Sequence, residues 1–140
     1  VDSGIKLEML RRIGADHCID YKREDFSNSG QTYDVIFNMV AGSSYSASVK
    51  LLNPGGRYLM GNPRLADMLR AVVTTRFSDK TAIFAFAGET EDELRALKDM
   101  IEAGKLEPVV DEIFAPELAA EAHRRVETEQ RLGIVVIRLA

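Results

Sequence analysis

The sequence predicts an α/β domain built on a parallel sheet with helices on both of its faces. Short β-type runs alternate with amphipathic helical runs along the whole chain, and this alternation indicates βαβ units. Several of the strand-like runs are nearly continuous in apolar residues, which is typical of strands buried on both faces. The 140 residues contain no internal repeat and no linker-like segment, so we expect one domain over residues 1–140.

The first half of the chain begins on what looks like a strand end, at Val1 and Asp2. A helix with an apolar face from Ile5 to Ile13 follows, and Gly14 ends it. The next predicted elements are a short strand at 17–20, a polar irregular stretch at 22–31, a strand at 33–40 buried on both faces, a helix capped at 43–44 and running to 52, a turn at 53–56 and a strand at 57–61.

The second half of the chain continues the alternation. Thr90 followed three residues later by Glu93 is a capping box at a helix start, and Gly104 is placed to end that helix. The other predicted elements are a helix with its apolar stripe at 65–73, a strand at 81–87, a strand around 109–110, a helix that starts at Pro116 and a closing strand at 134–137.

Composition excludes several classes of function. Hydrophobic residues make up 46% and charged residues 29% of the chain, and the formal net charge of -4 offers nothing to a nucleic acid or an anionic membrane. No apolar run approaches the roughly 20 residues that cross a bilayer. The single cysteine, Cys18, excludes an internal disulfide and a cysteine-based zinc site, and it suggests a reducing cytoplasm. The start lacks both an initiator Met and a signal peptide, so we expect a fragment.

Residues that could bind metal or act as nucleophiles are few. His17 and Cys18 are neighbours on a predicted strand, so they point to opposite faces and cannot chelate together. His123 lies on a late helix, where we expect a structural role. The acidic run at 91–93 suits a helix N-terminus. We find no Walker loop, no nucleophile elbow and no G-x-G-x-x-G.

Six segments in succession resemble the medium-chain dehydrogenase/reductase superfamily, in particular its quinone-oxidoreductase and zinc-type alcohol-dehydrogenase-like members. They are LRRIGADHCIDY at 10–21, YDVIFN at 33–38, LNPGGRY at 52–58, IEAGKLEPV at 101–109, EAHR at 121–124 and GIVVI at 133–137. The resemblance covers essentially the whole chain, in order and with similar spacing.

The resemblance implies a Rossmann-like, doubly wound parallel sheet of strand order 3-2-1-4-5-6 that is truncated at its N-terminus. Matched to that layout, the chain starts at the end of the second strand, and the first strand, the glycine-rich loop and the catalytic domain lie upstream. A missing central strand leaves a row of backbone groups unpaired. We therefore expect a homodimer or a rearranged sheet.

The resemblance also implies an adenosine end for the nicotinamide cofactor at the tip of the second strand. Ser3, Lys6 and Tyr21 match positions that meet the 2′-phosphate of NADP, and an ammonium such as that of Lys6 suits a phosphate. Asp2 argues for NAD, because a carboxylate there repels a phosphate. We favour NADP and leave NAD open. The alternative is that Lys6 is a solvated helix residue and Tyr21 an aromatic residue at a strand end, and it is favoured without the resemblance.

The nicotinamide end is expected at the carboxyl ends of the following strands, where ligands of open α/β sheets bind. By resemblance, the residues that line it are Asn38, Val40, Ala41, Gly61, Asn62, Phe84 and Ala85. Asn38 stands where the family often has Asp, and Ala41 where it often has Gly. The alternative is that Val40 and Phe84 belong to the core and Gly61 to a bend.

The resemblance implies an NAD(P)-dependent oxidoreductase that acts on a quinone, an enone, another carbonyl or an alcohol. We name no catalytic residue and no zinc ligand in this segment, and we expect it to be inactive alone. The alternative is a non-catalytic dimerisation module that pairs through the strand edge at 81–87. A flavodoxin-like receiver is disfavoured, because Asp2 alone does not make its acidic cluster.

Overall fold

The structure is a computed structural model that describes residues 1–86, 88, 90–129 and 131–139. Its elements in chain order are α1 (Leu7–Arg12), β1 (Tyr33–Asn38), α2 (Tyr45–Lys50), β2 (Leu52–Met60), α3 (Leu65–Phe77), β3 (Thr81–Phe84), α4 (Glu91–Glu102), β4 (Val110–Phe114), α5 (Ala119–Glu127) and β5 (Ile134–Ile137). Single 3-10 turns lie at Gly4–Lys6, Phe26–Asn28 and Pro116–Leu118. The strands pair in parallel, which confirms the predicted α/β class.

The chain divides into two compact units. The central unit is Glu24–Gly88, and the terminal unit combines Val1–Arg23 with the described residues from 90 onward. The central unit holds a three-stranded sheet of order β1-β2-β3, and the terminal unit holds the pair β4-β5. The prediction of one domain over 1–140 stays a prediction, since each unit is described by itself.

The pairing of β1 with β2 is irregular, because residues 53–56 of β2 leave the ladder as a bulge, here called the excursion. Tyr33 pairs with Leu52, but Val35 already pairs with Arg57, so one residue of β1 faces the whole 53–56 segment. Gly55 has a φ of 73°, which is open to glycine and costly for most other residues. The predicted turn at 53–56 therefore exists, but it bulges out of a strand rather than preceding one. Asn53 anchors it by donating to Asp34 Oδ1 at 2.9 Å.

Beyond the excursion, the central sheet is regular and packs on one face. Residues 57–60 of β2 pair with 35–38 of β1 on one side and with 81–84 of β3 on the other. Tyr58 is 1% exposed at the centre of the unit. The buried cluster around it consists of Tyr45, Leu52, Met60, Ala71 and Ala82.

The expectation that β1 is buried on both faces was wrong. Ile36 packs against the core, but on the alternate face Val35 is 48% and Phe37 67% exposed. Successive side chains of a strand point to opposite faces, and the face that carries Val35 and Phe37 is open. The apolar stripes of α3 and α4 are likewise exposed at Leu65, Leu69, Val72, Val73, Leu94, Leu97 and Ile101.

The terminal unit is built on β4, β5 and α5. Asp111 on β4 receives two hydrogen bonds from the Arg125 guanidinium of α5, one of them, from the Nη2 atom, at 3.1 Å. Such a bidentate pair fixes the helix over the strand, and it lowers the pKa of Asp111. Ala122 of the same helix is buried. The Thr90–Glu93 capping box at the start of α4 is confirmed.

The predicted strand at 17–20 is reduced to a single bridge. Asp2 and Asp20 form an isolated parallel bridge, with Asp2 N–H donating to Ile19 C=O at 3.0 Å and Tyr21 N–H donating to Asp2 C=O at 3.2 Å. Gly14 ends the preceding helix with a φ of 100°, as expected. Within the described residues, the strands form two separate sheets rather than one. Dimerisation through residues 81–87 stays a prediction, and Ala87 lies outside the described residues.

Replacing Gly133 by alanine is expected to destabilise the β4–β5 pair by about 1–3 kcal/mol, because overpacking against fixed atoms costs that much. A Cβ at 133 would overlap the carbonyl of Val109, which accepts a hydrogen bond from Ile134 N–H at 2.7 Å. Hydrogen exchange over residues 109–137 should accelerate. Gly61→Ala is the control, since the atoms that its Cβ would overlap belong to the flexible thioether of Met39. Equal protection in Gly133→Ala and the parent chain would contradict the expectation.

Candidate cofactor-binding site

The carboxyl ends of the three central strands meet at one edge of the sheet. Gly61 N–H donates to Asn38 C=O at 2.9 Å, and Ala85 N–H donates to Met60 C=O at 3.1 Å. These bonds continue the ladder just past the strand ends and bring the residues after β1, β2 and β3 side by side. This edge is where ligands of parallel α/β sheets bind, and it carries all seven residues expected at the nicotinamide end.

Asn38 is fully engaged by its own surroundings. Its side-chain nitrogen donates to Ser43 Oγ at 2.6 Å and to Tyr58 Oη at 2.9 Å, and its Oδ1 accepts from Val40 N–H at 3.0 Å. Both amide hydrogens are therefore used. Asn38 acts here as a brace for the turn that follows β1, which fixes the backbone of Val40 and Ala41.

Gly61 is in close contact with a residue that the sequence reasoning did not single out. The position that a Cβ of Gly61 would occupy is taken by the thioether of Met39. Met39 is 58% exposed and has a flexible side chain, so it can yield to a ligand. Asn62, Val40 and Ala41 are exposed beside it.

Phe84 and Ala85 differ in their surroundings although they are neighbours. Phe84 packs against the core cluster and lines an open groove with Thr75 and Ala82. Ala85 is exposed at the strand end. The packing of Phe84 thus favours the alternative hypothesis that it is a core residue. Ala85, by contrast, lies where a ligand can reach it.

The first turn of α3 carries a buried carboxylate. Asp67 is 6% exposed and accepts from Arg64 Nε at 2.9 Å and from an Arg70 guanidinium nitrogen at 3.1 Å. The hydrogen bond from Arg64 holds the pKa of Asp67 below its usual range. Farther along the helix, Thr74 accepts from Tyr45 Oη at 2.8 Å, and burial raises the pKa of Tyr45.

The residues expected at the adenosine end lie together in the terminal unit. Ser3 is buried, and its N–H donates to Asp2 Oδ1 at 2.7 Å. The Lys6 ammonium lies 3.4 Å from the same Asp2 oxygen. Asp2 is therefore turned toward Lys6, so that its charge is partly balanced by the cation that would bind a phosphate.

Two further carboxylates stand at this end, and the sequence reasoning missed both. Asp20 Oδ2 lies 2.6 Å from the place a Cβ of Gly4 would occupy, so a glycine there permits the approach. Glu129 Oε2 lies 3.4 Å from the Lys6 ammonium. Asp20 ends a predicted strand, which is a signal that could have found it. Glu129 is 123 positions from Lys6 and carries no such signal.

The candidate residues therefore form two groups, each described within its own unit. Asp2, Ser3, Lys6 and Tyr21 come together in the terminal unit, with the exposed Tyr21 ring next to the Asp2–Asp20 bridge. The seven nicotinamide candidates come together in the central unit. Both groups of residues are mainly polar or small, and neither contains a glycine-rich loop for a pyrophosphate.

Neither a metal-binding cluster nor a membrane-spanning helix is found among residues 1–86, 88, 90–129 and 131–139. There, no group of three or more His, Cys, Asp or Glu side chains is placed to hold a metal ion. No helix among the described residues has the length and apolar character to span a bilayer.

The chain belongs to the zinc-binding dehydrogenase family, whose model matches residues 13–137. The predicted membership in the medium-chain dehydrogenase/reductase superfamily is thereby confirmed. An Arabidopsis thaliana protein named NADPH-dependent alkenal/one oxidoreductase is 31% identical over 135 residues, which are 94% of this chain and 31% of that protein. A Burkholderia sp protein named 2-haloacrylate reductase is 26% identical over 94% of this chain and 44% of its own length.

Solved structures share the fold. The quinone oxidoreductase from Coxiella burnetii matches with a TM-score of 0.77 at 23% identity, over 99% of this chain and 43% of that one. An NAD-dependent alcohol dehydrogenase matches with a TM-score of 0.72 at 22% identity, over 100% and 43%. The Rossmann-like fold is thus confirmed. The chain spans less than half the length of these relatives.

Replacing Tyr58 by phenylalanine is expected to cost about 1–2 kcal/mol, because it leaves an amide hydrogen of Asn38 without its acceptor. Urea unfolding should show this loss in the free energy of unfolding. Because the turn after β1 loosens, hydrogen exchange at Val40 and Ser43 should also become faster. Tyr33→Phe is the matched control, since Tyr33 donates no side-chain hydrogen bond within the described residues. Equal effects of the two substitutions would refute the claim that the hydrogen bond between Asn38 and Tyr58 holds the turn after β1.

Replacing Asp67 by asparagine is expected to reduce the acid sensitivity of the central unit. The pKa of Asp67 is lowered in the folded state, so its stabilising contribution is complete above the unfolded value of about 4 and is lost as pH falls through the lowered pKa. In urea unfolding, Asp67→Asn should have a smaller free energy of unfolding than the parent at neutral pH. This difference should disappear in acid. Asp79→Asn removes an exposed carboxylate as the control; a gap that persists unchanged in acid contradicts the expectation.

Proposed function

We propose that this chain is the later part of the nucleotide-binding domain of an NAD(P)-dependent oxidoreductase. The observation that carries the proposal is the family match over 13–137 together with the meeting of three parallel strand ends at one sheet edge. When bound, the nicotinamide would exchange a hydride with a carbonyl, quinone, enone or alcohol substrate. The residues of the central edge would orient the nicotinamide, and those of the terminal unit would hold the adenosine.

NADPH is the cofactor that we propose, with NADH as the alternative. The ammonium of Lys6, the buried Ser3 and the exposed hydroxyl of Tyr21 are groups that suit a 2′-phosphate. One relative is named as NADPH-dependent, and a structural neighbour is named as NAD-dependent. A cytoplasmic location remains part of the proposal, as does a homodimer.

The cofactor proposal is tested in the full-length protein that carries these residues, by following NADPH and NADH consumption with an enone and with a quinone. Lys6→Met should raise the KM for NADPH about tenfold, because a charge-assisted hydrogen bond to phosphate is lost. The KM for NADH should change far less. Lys50→Met, an exposed lysine on α2, is the charge-matched control. No consumption of either cofactor with either substrate would refute the proposed function.

The 140-residue chain by itself is expected to be inactive, because it contains no glycine-rich loop to hold the pyrophosphate. Calorimetry with NADPH and with NADH should then give equal, negligible heats. Measurable NADPH-dependent quinone reduction by the purified chain would contradict this expectation.

A non-catalytic dimerisation module is the second candidate. Its support is that β3, within the described residues, pairs with no strand other than β2. On its other edge, Thr75 Oγ1 accepts from Ala82 N–H at 3.0 Å and donates to Ala82 C=O at 3.3 Å. Light scattering of the purified chain tests this candidate, since a chain that stays monomeric over a range of concentrations contradicts the dimerisation module.

A further inference from the structure

The Lys6 ammonium is shared by two carboxylates from distant parts of the chain. It lies 3.4 Å from Asp2 Oδ1 and 3.4 Å from Glu129 Oε2, and the Lys6 side chain is only 15% exposed. One positive charge therefore faces two negative charges within a single unit. The net charge of this group of three side chains is negative before any ligand binds.

Asp2 is the fixed member of this group. Its Oδ1 also accepts from Ser3 N–H at 2.7 Å, and its backbone is tied on both sides to the segment around Asp20. The direction of the Asp2 carboxylate is thus fixed by the backbone of its own segment.

Glu129 is the movable member. It follows the end of α5, its side chain is 72% exposed, and within the described residues Lys6 is the one partner of that side chain. Its φ of 56° lies in the left-handed region, where glycine or asparagine is at ease and other residues are strained. The backbone does not favour a glutamate here, whereas the contact with Lys6 does.

We propose that Glu129 is a specificity-determining residue, which weakens NADPH relative to NADH by competing with the 2′-phosphate for Lys6. The inference rests on the proposed function, because it concerns the choice between two cofactors at the same site. A phosphate monoester carries close to two negative charges at neutral pH, so NADPH must displace the Glu129 carboxylate or bind beside it. The ribose hydroxyls of NADH have no need of the ammonium.

The test is the ratio of kcat/KM for NADPH to that for NADH in the full-length protein. Glu129→Gln should raise this ratio about two- to fivefold, the factor expected for an exposed ion pair. The increase should shrink at high salt, which screens exposed charges. Glu127→Gln removes an exposed carboxylate two residues away that makes no ion pair within the described residues, and it should keep the parent ratio.

Two further variants test whether the change in the ratio comes from the charge of Glu129 acting on Lys6. Glu129→Asn removes the same charge while suiting the left-handed backbone, so it should raise the ratio without loss of fold. In a Lys6→Met background, Glu129→Gln should leave the ratio unchanged, because the shared cation is gone. An unchanged ratio in both Glu129 variants, in a protein that consumes either cofactor, overturns the role of Glu129 alone. A protein that consumes neither cofactor overturns the proposed function.

Discussion

Tyr58 joins the core of the central unit to the edge where the candidate site lies. Its ring meets that of Tyr45 edge-on, with centroids 5.4 Å apart, an arrangement that aromatic pairs prefer. Its hydroxyl accepts from Asn38, which in turn holds the turn after β1. A buried phenol must find a polar partner, and here that requirement is satisfied by a residue of the site. The position of the ligand edge therefore depends on how one aromatic side chain is packed.

The ion pairs of the central unit and those of the terminal unit differ in which partner is shielded from solvent. In the central unit, Asp67 is buried and its two arginines are more than half exposed, so a well-fixed carboxylate orients two mobile cations. In the terminal unit, the cation Lys6 is the shielded partner, and an exposed carboxylate approaches it from outside. The first arrangement stabilises a helix start, whereas the second leaves a charge whose partner can be exchanged.

Local patterns were enough to predict most elements, whereas the candidate site residues follow from the family resemblance and stay a prediction. The Thr90–Glu93 box, the glycine at 14 and the closing strand at 134–137 depend on short-range rules, and all were confirmed. The exposed face of β1 could not be predicted, because a strand's periodicity shows which residues share a face but not what covers it. The approach of Glu129 to Lys6 depends on the tertiary path of the chain, which no spacing encodes.

The excursion at 53–56 separates two kinds of position in β2. Upstream of Arg57, an added or deleted residue alters the size of a loop that already lies outside the ladder. Downstream of Arg57, the same change would turn Tyr58 and Met60 to the opposite face of the sheet, since side chains alternate with a period of two. The bulge that contains Gly55 and Gly56 can thus absorb changes of length. It lets the loop vary while the three strand ends that meet at the ligand edge keep their alignment.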